Sequence, residues 1–290
     1  MKYQKLWREY WREAVLALLL VANVTAYVAL GQSAPGPLKV AFLDVGQGDA
    51  IYFETPSHKR GLIDGGPGRQ VLSVLGPLMP FGASRLDLVV ESHPDKDHIG
   101  GLPEVVSRYN VGLFMEPGVE SDNSIDNELH ARLEARGVQT LLARQGQVVD
   151  FGDGVKLRIL FPKMDVTNWE TNEASIVAKL EYGEQSFLLT GDSPIKVENI
   201  LLYQSGGVSK LLDSDVLKVG HHGSRTSTSL AYAQAVSPEY AVVSAGQGNS
   251  YGHPHKEVLE ILQKVGAKIL STIESGTIKF ETNGESLELK

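Results

Sequence analysis

The chain has 290 residues, which is enough for one large α/β domain or two small ones. It contains no cysteine, which excludes disulfide bonds and cysteine-ligated zinc, so any metal ion must be held by histidine and carboxylate side chains. The formal net charge is −8, and the sequence lacks the basic clusters by which general nucleic-acid binders hold a polyanion. A chain of this charge that acts on a polyanion therefore needs metal ions to supply positive charge.

The N-terminal segment differs from the rest of the chain, because residues 14–30 (AVLALLLVANVTAYVAL) carry no charge. A membrane-spanning helix needs about 20 mostly apolar residues. Trp7, Trp11 and several basic residues precede the segment, which favours a single-pass anchor in the cell membrane with the main domain outside the cytoplasm. A cleaved secretory signal is a second interpretation, and a buried or interfacial helix is a third.

A short linker, residues 32–37 (QSAPGP), separates this segment from the globular part of the chain. We therefore expect an anchor and linker over residues 1–37 and one globular domain over residues 38–290.

The globular part alternates short apolar segments with helical ones. In chain order, strands are predicted at residues 40–43, 50–53, 61–63 and 86–90, a helix from about Leu102, a helix at 126–136, and strands at 138–142, 155–161, 175–182, 186–189 and 216–219. A helix at 229–235, a strand at 240–244, a helix at 255–265 and a terminal strand pair at 268–272 and 276–281 complete the chain. Two successive sets of strands with helices between them predict a layered α/β sandwich.

The histidines are concentrated in three close pairs, which hold six of the eight in the chain. The first pair lies in SHPDKDHIGG, where His93, Asp95 and Asp97 alternate along a loop after strand 86–90 and His98 follows. Alternate positions on an extended segment can point their side chains the same way. Imidazole and carboxylate groups at this density suit divalent first-row metals, and two ions fit better than one.

Two further loops also follow predicted strands. Asp192, in LLTGDS, comes directly after strand 186–189, a position suited to a carboxylate that bridges two metal ions. His221 and His222 follow strand 216–219. Because neighbouring residues on an extended segment face opposite ways, one of these histidines is expected to bind metal and the other to support a ligand or contact the substrate.

The third histidine pair lies in the loop SYGHPH. His253 and His255, held by glycine and proline, could contact a substrate phosphate or donate a proton to a leaving group. The alternative is a simple turn before a helix, with His255 at the helix start.

Two glycine-rich motifs near the start of the domain resemble neither a P-loop nor a dinucleotide-binding motif, so nucleotide binding is not indicated. LIDGG contains Asp64, which is expected to orient a ligating histidine. DVGQGD contains Asp44 and Asp49, and these residues, with His222 and Ser224, are expected to support the ligands or contact the substrate.

These motifs together resemble the metallo-β-lactamase superfamily and, within it, the C-terminal domain of ComEC-type competence proteins. The resemblance covers residues 38–290 and rests on FLDVGQGDA, LIDGG, HPDKDH, LLTGD, LKVGHHGS and YGHPH, in that order. It implies a four-layer αββα sandwich with a two-metal site at one edge of the sheets. It also implies three groups of ligands: His93 and Asp95 for one ion, Asp97, His98 and His221 for the other, and Asp192 as the bridge between them.

The chain departs from the superfamily pattern at two positions. Asp95 stands where most members have histidine, and the separate histidine expected between HPDKDH and LLTGD is missing. His130 comes too early in the chain to replace it, and Asn172 or Ser175 lies nearest the expected position. A site richer in oxygen ligands makes Mn²⁺ a rival to Zn²⁺.

The resemblance implies a two-metal phosphodiesterase, specifically a nuclease for single-stranded DNA that takes part in DNA uptake during natural transformation. In this mechanism Asp97 or Asp192 accepts the proton of the attacking water, and His253 or His255 stabilises or protonates the leaving oxygen. Three basic residues would face the phosphate: Lys96, Arg225 and Lys256.

Two other functions remain open at this stage. One is hydrolysis of a small or cell-wall phosphodiester, and the other is a non-catalytic DNA-binding subunit of an uptake machine. ComEC-type proteins carry a large multi-span channel region that these residues do not contain. The chain is therefore either a stand-alone or split version, with a separate membrane channel subunit as a possible partner, or a fragment of a larger channel protein.

Overall fold

The computed structural model describes residues 2–31, 36–204, 206 and 209–290. The chain divides into two compact units, residues 1–36 and 37–290. The first unit contains one helix, α1 (Lys2–Gly31). The polar side chains of Asn23 and Thr25 donate hydrogen bonds to carbonyl oxygens one turn earlier in this helix, so they do not interrupt it.

No helix among the described residues is both long enough and apolar enough to cross a lipid bilayer. The predicted transmembrane helix is therefore not supported. Residues 32–35 of the predicted linker lie outside the described residues.

The second unit contains two β-sheets. The strands of the first sheet are β1 (Leu38–Phe42), β2 (Ile51–Glu54), β3 (Arg60–Ile63), β4 (Arg85–Val90), β5 (Asn110–Glu116), β6 (Gln139–Leu142), β14 (Ile278–Thr282) and β15 (Leu287–Leu289). The strands of the second sheet are β7 (Val148–Asp150), β8 (Val155–Phe161), β9 (Val177–Tyr182), β10 (Gln185–Leu189), β11 (Val216–Lys218), β12 (Tyr240–Val243) and β13 (Lys268–Ser271).

Each sheet has a parallel half and an antiparallel half. The strand order is β15-β14-β1-β2-β3-β4-β5-β6 in the first sheet and β13-β12-β11-β10-β9-β8-β7 in the second. Strands β3 to β6 are parallel, as are strands β10 to β13. The remaining neighbours pair antiparallel.

Helices lie on the outer face of each sheet. They are α2 (Gln70–Leu75), α3 (Lys96–Ile99), α4 (Leu102–Arg108), α5 (Ser124–Ala135), α6 (Ile195–Gln204), α7 (Leu230–Val236), α8 (Lys256–Lys264) and α9 (Thr272–Ser275). Short 3₁₀ turns lie at Gly76–Leu78, Asn172–Ala174, Ser209–Leu211 and Gly220–Gly223. One apolar cluster fills the space between the sheets, and two others join each sheet to its helices. The two-sheet α/β sandwich predicted from the sequence is thereby confirmed.

Aromatic packing fixes the two sheets against each other. The buried ring of Phe280, in the first sheet, lies 6.1 Å from the ring of Phe42 in the same sheet. It also lies 5.9 Å from the ring of Phe187 and 5.2 Å from the ring of Tyr240, both in the second sheet, with edge-to-face geometry. Such pairs stabilise beyond the burial of their area, so they hold the sheets in one relative position.

The predicted terminal strand pair is wrong. Strand β13 pairs with β12 in the second sheet, whereas β14 pairs with β1 in the first. The short helix α9 separates the two strands and allows the chain to cross between the sheets. Long-range pairing of this kind leaves no local sequence signal. The apolar patterns also do not predict α2, α3 or α6, although Pro194 immediately before α6 is a helix-start signal.

The parallel strands determine where the polar motifs meet. Asp64 follows β3 and His93 follows β4, while Asp192 follows β10 and His222 follows β11. The carboxyl ends of neighbouring parallel strands lie at the same edge of a sheet, which is where open α/β sheets bind their ligands. The motifs of both sheets are therefore brought to one edge of the sandwich.

Candidate metal centre

Histidine and carboxylate side chains from the two sheets form a buried cluster at this edge. His93, His98, Asp192 and His222 are each at most 3% exposed. His98 Nε2 lies 3.3 Å from Asp192 Oδ1, and His222 Nε2 lies 3.4 Å from Asp192 Oδ2. The two oxygens of Asp192 therefore face histidines from different sheets, which is the arrangement that a bridging carboxylate requires. His222 Nε2 also lies 3.3 Å from Asp97 Oδ2.

The atoms of this cluster that could bind a metal ion lack hydrogen-bond partners within the described part of the chain. Nε2 of His93, Nε2 of His98, Nε2 of His222 and Oδ1 of Asp192 are buried and make no hydrogen bond. A buried polar atom without a partner costs about 1–3 kcal/mol. Four such atoms in one place are therefore unfavourable unless another group binds them, and a divalent cation accepts both imidazole nitrogen and carboxylate oxygen as ligands. The residues present thus fit a metal centre.

Four overlapping sets of three side chains among the described residues place one ligand atom each within 4.8 Å of the others. They are His93, His98 and Asp192; Asp97, His98 and His222; Asp49, Asp64 and His98; and Asp49, Asp192 and His222. His98 belongs to three of the sets, and Asp192 belongs to two. The overlap is consistent with two adjacent ion positions that share ligands.

Hydrogen bonds from behind orient the two central histidines. His98 Nδ1 lies 2.8 Å from Asp64 Oδ2, and His222 Nδ1 lies 2.8 Å from the carbonyl oxygen of Ser244. Both acceptors can only accept, so each Nδ1 carries a proton, and Nε2 is the nitrogen that a metal would bind. Asp64 is held in turn by the backbone N–H and the hydroxyl of Ser92, both at 2.7 Å. Asp64 therefore makes the orienting contact expected from its motif.

The turn that carries His221 and His222 has a left-handed backbone. The φ angles are 47° at His221 and 54° at His222, which is uncommon outside glycine and costs of order 1–3 kcal/mol per residue. The extended segment predicted from the sequence is therefore wrong. The turn directs His222 into the cluster and leaves the side chain of His221 26% exposed, with its Nε2 3.7 Å from Asp192 Oδ2.

This turn changes the expected ligand set. Within the described residues, His222 and not His221 belongs to the candidate metal sets. His221, the ligand implied by the resemblance, lies outside these sets, so the geometry favours its neighbour His222 as the candidate ligand. The hydroxyl of Thr226 lies 3.1 Å from His221 Nδ1 and donates to the buried hydroxyl of Ser224, so Ser224 contributes to the shape of this loop.

Asp95 lies at the margin of the cluster. Its Oδ2 is 3.6 Å from His93 Nε2, but the side chain is 39% exposed and belongs to none of the candidate sets in the described chain. Burial acts to raise the pKa of Asp95, yet the neighbouring imidazole of His93 outweighs this effect and holds that pKa below its usual value.

The position of the missing histidine is taken by smaller polar groups. Ser175 is fully buried, and its hydroxyl accepts the backbone N–H of Asp192 at 3.3 Å. The side-chain oxygen of Asn172 is buried and makes no hydrogen bond within the described residues. His130 contacts Glu116 and Asp126 instead, with its Nε2 2.6 Å from Glu116 Oε2.

A buried ion pair beneath the cluster is not predicted by the motifs. Lys218 Nζ lies 2.6 Å from Asp49 Oδ2, and both side chains are at most 1% exposed. The other oxygen of Asp49 lies 3.6 Å from His222 Nδ1. The signal in the sequence is the lysine itself, because Lys218 is the one charged residue within the apolar run VLKV.

The DVGQGD turn packs directly against the loop that carries Asp97. Asp49 donates its backbone N–H to the carbonyl oxygen of Asp97 at 3.2 Å. A Cβ on Gly48 would lie 2.0 Å from that same oxygen, so only glycine fits there. Asp44 belongs to none of the candidate sets found in the described chain, and its carboxylate accepts the backbone N–H of Gly46 at 3.2 Å.

The opposite charges in the cluster shift its pKa values strongly. Burial acts to lower the pKa of His98, but Asp192 and Asp64 raise it well above its usual value. Burial also acts to lower the pKa of His222, but Asp192 and the other neighbouring carboxylates raise the pKa of His222 to about 9. Burial acts to raise the pKa of Asp192, but His222 and His98 hold it well below the usual range. A metal ion must therefore displace protons from these imidazoles.

The loop with His253 and His255 borders the cluster. Burial, together with His221 and His222, lowers the pKa of His253 to about 4, so its imidazole is neutral at neutral pH. Its ring lies 5.6 Å from that of His221. His255 is the N-cap residue of α8, and its Nδ1 accepts the backbone N–H of Arg225 at 3.2 Å.

Sequence comparisons place this chain among known proteins. A sequence model of the metallo-beta-lactamase superfamily matches residues 43–247. The chain is 34% identical over 261 residues to ComE operon protein 3 of Bacillus subtilis (strain 168), which covers 83% of this chain and 33% of that protein. It is 32% identical over 266 residues to competence protein ComA of Neisseria gonorrhoeae, with 91% and 35% covered. Recombination protein 2 of Haemophilus influenzae is 30% identical over 262 residues, with 87% and 30% covered.

These three relatives are ComEC-type competence proteins, and the chain spans about a third of their length. Solved structures share the fold. YhfI from Bacillus subtilis superposes with a TM-score of 0.57 at 14% identity, covering 84% of this chain and 99% of that one. CmlA, a diiron beta-hydroxylase from Streptomyces venezuelae, gives a TM-score of 0.57 at 13% identity, covering 86% and 55%.

The position of His222 gives a first prediction. The variant His222→Ala should bind metal more than about tenfold more weakly than the unchanged chain, because it removes an inward-facing nitrogen. The matched variant His221→Ala should retain its metal. Elemental analysis after loading with Mn²⁺ or Zn²⁺ and desalting measures both. Loss of metal from His221→Ala with full retention in His222→Ala would contradict this ligand choice.

The raised histidine pKa values give a second prediction. Below the pKa of about 9 of His222 the metal must displace a proton, so apparent metal affinity should rise with pH. For each displaced proton the apparent Kd should fall about tenfold per pH unit between about pH 6 and 8. Isothermal titration calorimetry in buffers of different ionisation enthalpy counts the protons released. A pH-independent Kd with no proton release would show that these histidines do not bind the metal.

Proposed function

The chain belongs to the metallo-beta-lactamase superfamily, and from this premise we propose that it is a metal-dependent phosphodiesterase that cleaves single-stranded DNA. The observation that carries the proposal is a buried group of potential metal-ligand atoms that make no hydrogen bond. They are the Nε2 atoms of His93, His98 and His222 and Oδ1 of Asp192. Superfamily members are typically metal-dependent hydrolases, and this donor set suits such chemistry.

Two groups of side chains would hold the ions. His93, His98 and Asp192 would hold one, and Asp97 and His222 would hold the other together with the second oxygen of Asp192. Divalent ions bound there would lower the pKa of a water molecule and neutralise charge on the phosphoryl oxygens. Because carboxylates supply much of the donor set, we propose Mn²⁺ beside Zn²⁺ as the ion to test.

The geometry favours Asp97 over Asp192 as the proton acceptor. Asp192 is 4% exposed at its side chain, and its two oxygens face histidines. The side chain of Asp97 is 34% exposed, so water reaches it. Burial acts to raise the pKa of Asp97, but His222 and His98 hold it below the usual value, so the group is an ionised acceptor at neutral pH. It can therefore take a proton from the attacking water.

His253 would act on the leaving oxygen as a hydrogen-bond donor. Its pKa of about 4 means that the imidazole carries no positive charge at neutral pH. It is therefore unsuited to act as a positively charged general acid, but a neutral imidazole can still donate a hydrogen bond from one ring nitrogen. His255 is the remaining candidate for the proton donor, since its ring lies 4.9 Å from that of His253.

Basic side chains next to the motifs would complete phosphate binding. Lys96 lies within HPDKDH, Arg225 follows HHGS, and Lys256 follows YGHPH, and all three are exposed. With the metal ions they offset the net charge of −8 near the substrate.

The choice of DNA as substrate rests on the relatives. Two are named for competence or its operon and one for recombination, all processes that involve DNA. We therefore propose a role in DNA uptake. A separate membrane channel partner and a location outside the cytoplasm stay predictions.

Hydrolysis of labelled single-stranded DNA by the full chain, titrated with Mn²⁺, Zn²⁺ and Mg²⁺, tests this function. We expect metal-dependent cleavage that falls by at least about 10²–10⁴-fold in Asp97→Asn, because this change removes the proton acceptor and also a carboxylate that would hold one ion. The exposed strand residue Asp150, whose carboxylate lies 3.5 Å from Lys156 Nζ, provides the matched control Asp150→Asn, which should cleave normally.

Other outcomes would overturn the proposal. Cleavage of bis(p-nitrophenyl) phosphate without cleavage of DNA would indicate a small phosphodiester as substrate. Binding of DNA by folded, metal-loaded protein without any hydrolysis would indicate a non-catalytic subunit.

A further inference from the structure

A row of aromatic rings leads from the buried cluster to the surface. The ring of Tyr251 stacks on the ring of His253, with centroids 5.6 Å apart and 22° between the planes. The ring of His253 lies 6.3 Å from that of His222, at the candidate metal centre. Tyr251 is 64% exposed, whereas His222 is 1% exposed. A flat, exposed ring thus lies two ring contacts from the reaction site.

The loop that presents Tyr251 is held in place by hydrogen bonds. Asn249 Nδ2 donates to the carbonyl oxygen of His253 at 2.7 Å and to that of Gly246 at 2.9 Å. The backbone N–H of His253 donates back to Asn249 Oδ1 at 3.0 Å. These bonds clamp the loop on both sides of Tyr251, so the ring occupies a defined position beside His253.

We propose that Tyr251 is a stacking platform for an unpaired nucleobase next to the scissile phosphate. This inference rests on the proposed nuclease function and adds how the strand is recognised. Bases stack on aromatic side chains with little dependence on sequence, because every base has a π-face. One face of the Tyr251 ring covers His253. Because Tyr251 is largely exposed, the other face of its ring is accessible to a base.

The charge of the chain points to the same mode of binding. A net charge of −8 leaves little general attraction for a polyanion, so contacts other than lysine and arginine must contribute to affinity. Stacking is one such contact, because it does not depend on charge. In a duplex each base is already stacked and paired, so a base must first be freed before it can stack on a protein side chain. A platform such as Tyr251 therefore favours single strands.

The test compares two variants of the full chain on two substrates. Tyr251→Leu keeps an apolar cover over His253 but removes the π-face, whereas Tyr251→Phe keeps both. The substrates are a single-stranded oligonucleotide and the same strand with abasic sites. We expect Tyr251→Leu to raise KM for the normal strand about tenfold with kcat nearly unchanged. Tyr251→Phe should resemble the unchanged chain.

The abasic strand separates recognition from structure. The unchanged chain should lose about the same factor on abasic DNA, and Tyr251→Leu should lose nothing further there, because the stacking partner is already absent. An equal loss for Tyr251→Leu on both strands would show that Tyr251 only supports His253, and no loss on either strand would exclude any role. Either result overturns the inference.

A binding measurement keeps the two proposals distinguishable. Fluorescence anisotropy of a labelled single strand, in the Asp97→Asn background, measures how Tyr251 affects DNA binding while the strand is not cleaved. If the unchanged chain cleaves no DNA, the proposed function fails, yet weaker binding by Tyr251→Leu would still support the platform. If the unchanged chain cleaves and Tyr251→Leu binds normal and abasic strands as the unchanged chain does, the platform alone fails.

Discussion

The contact of Asp192 with two histidines of different origin is the interaction on which the candidate centre depends. His98 lies in the short helix α3, which follows β4 of the first sheet, and His222 lies in the 3₁₀ turn that follows β11 of the second. One carboxylate thus joins the two halves of the sandwich at their carboxyl edge. The hydrogen bond from His98 Nδ1 to Asp64 directs the Nε2 atom of His98 into the cluster. A divalent cation would turn the unpaired atoms of the cluster into ligands.

Several unfavourable features are concentrated around this contact. The left-handed pair His221 and His222 is strained, and Lys218 and Asp49 form an ion pair with almost no exposure to water. The cost of removing both charges from water can cancel their attraction, so the buried Lys218–Asp49 pair is weak evidence for a stabilising contribution to the fold. The fold tolerates these costs because the space between the sheets is packed with apolar side chains around Phe280. Local strain at functional sites with stable packing elsewhere is a common pattern in proteins.

The sequence predicts much of this fold because strand ends and ligands are local features. Apolar runs followed by His, Asp and Gly identify the loops of His93, Asp192 and His222, and parallel topology brings them together. The choice between His221 and His222 escapes prediction, because it depends on a backbone handedness that the residue types do not reveal. The separation of β13 and β14 into different sheets is a long-range feature without a local signal. The stacking of Tyr251 on His253 joins residues only two apart, but it depends on the conformation of their loop, which the residue types do not reveal.

The most direct test of the central claim is a crystal structure of the Mn²⁺-loaded protein with anomalous difference maps at the metal edge. Two peaks about 3.5–4 Å apart are expected. Asp192 should lie between them, with His93 Nε2 at one peak, His222 Nε2 at the other, and His221 bound to neither. A loaded crystal with no peak in the cluster, or with His221 as a ligand and His222 turned away, would contradict the account.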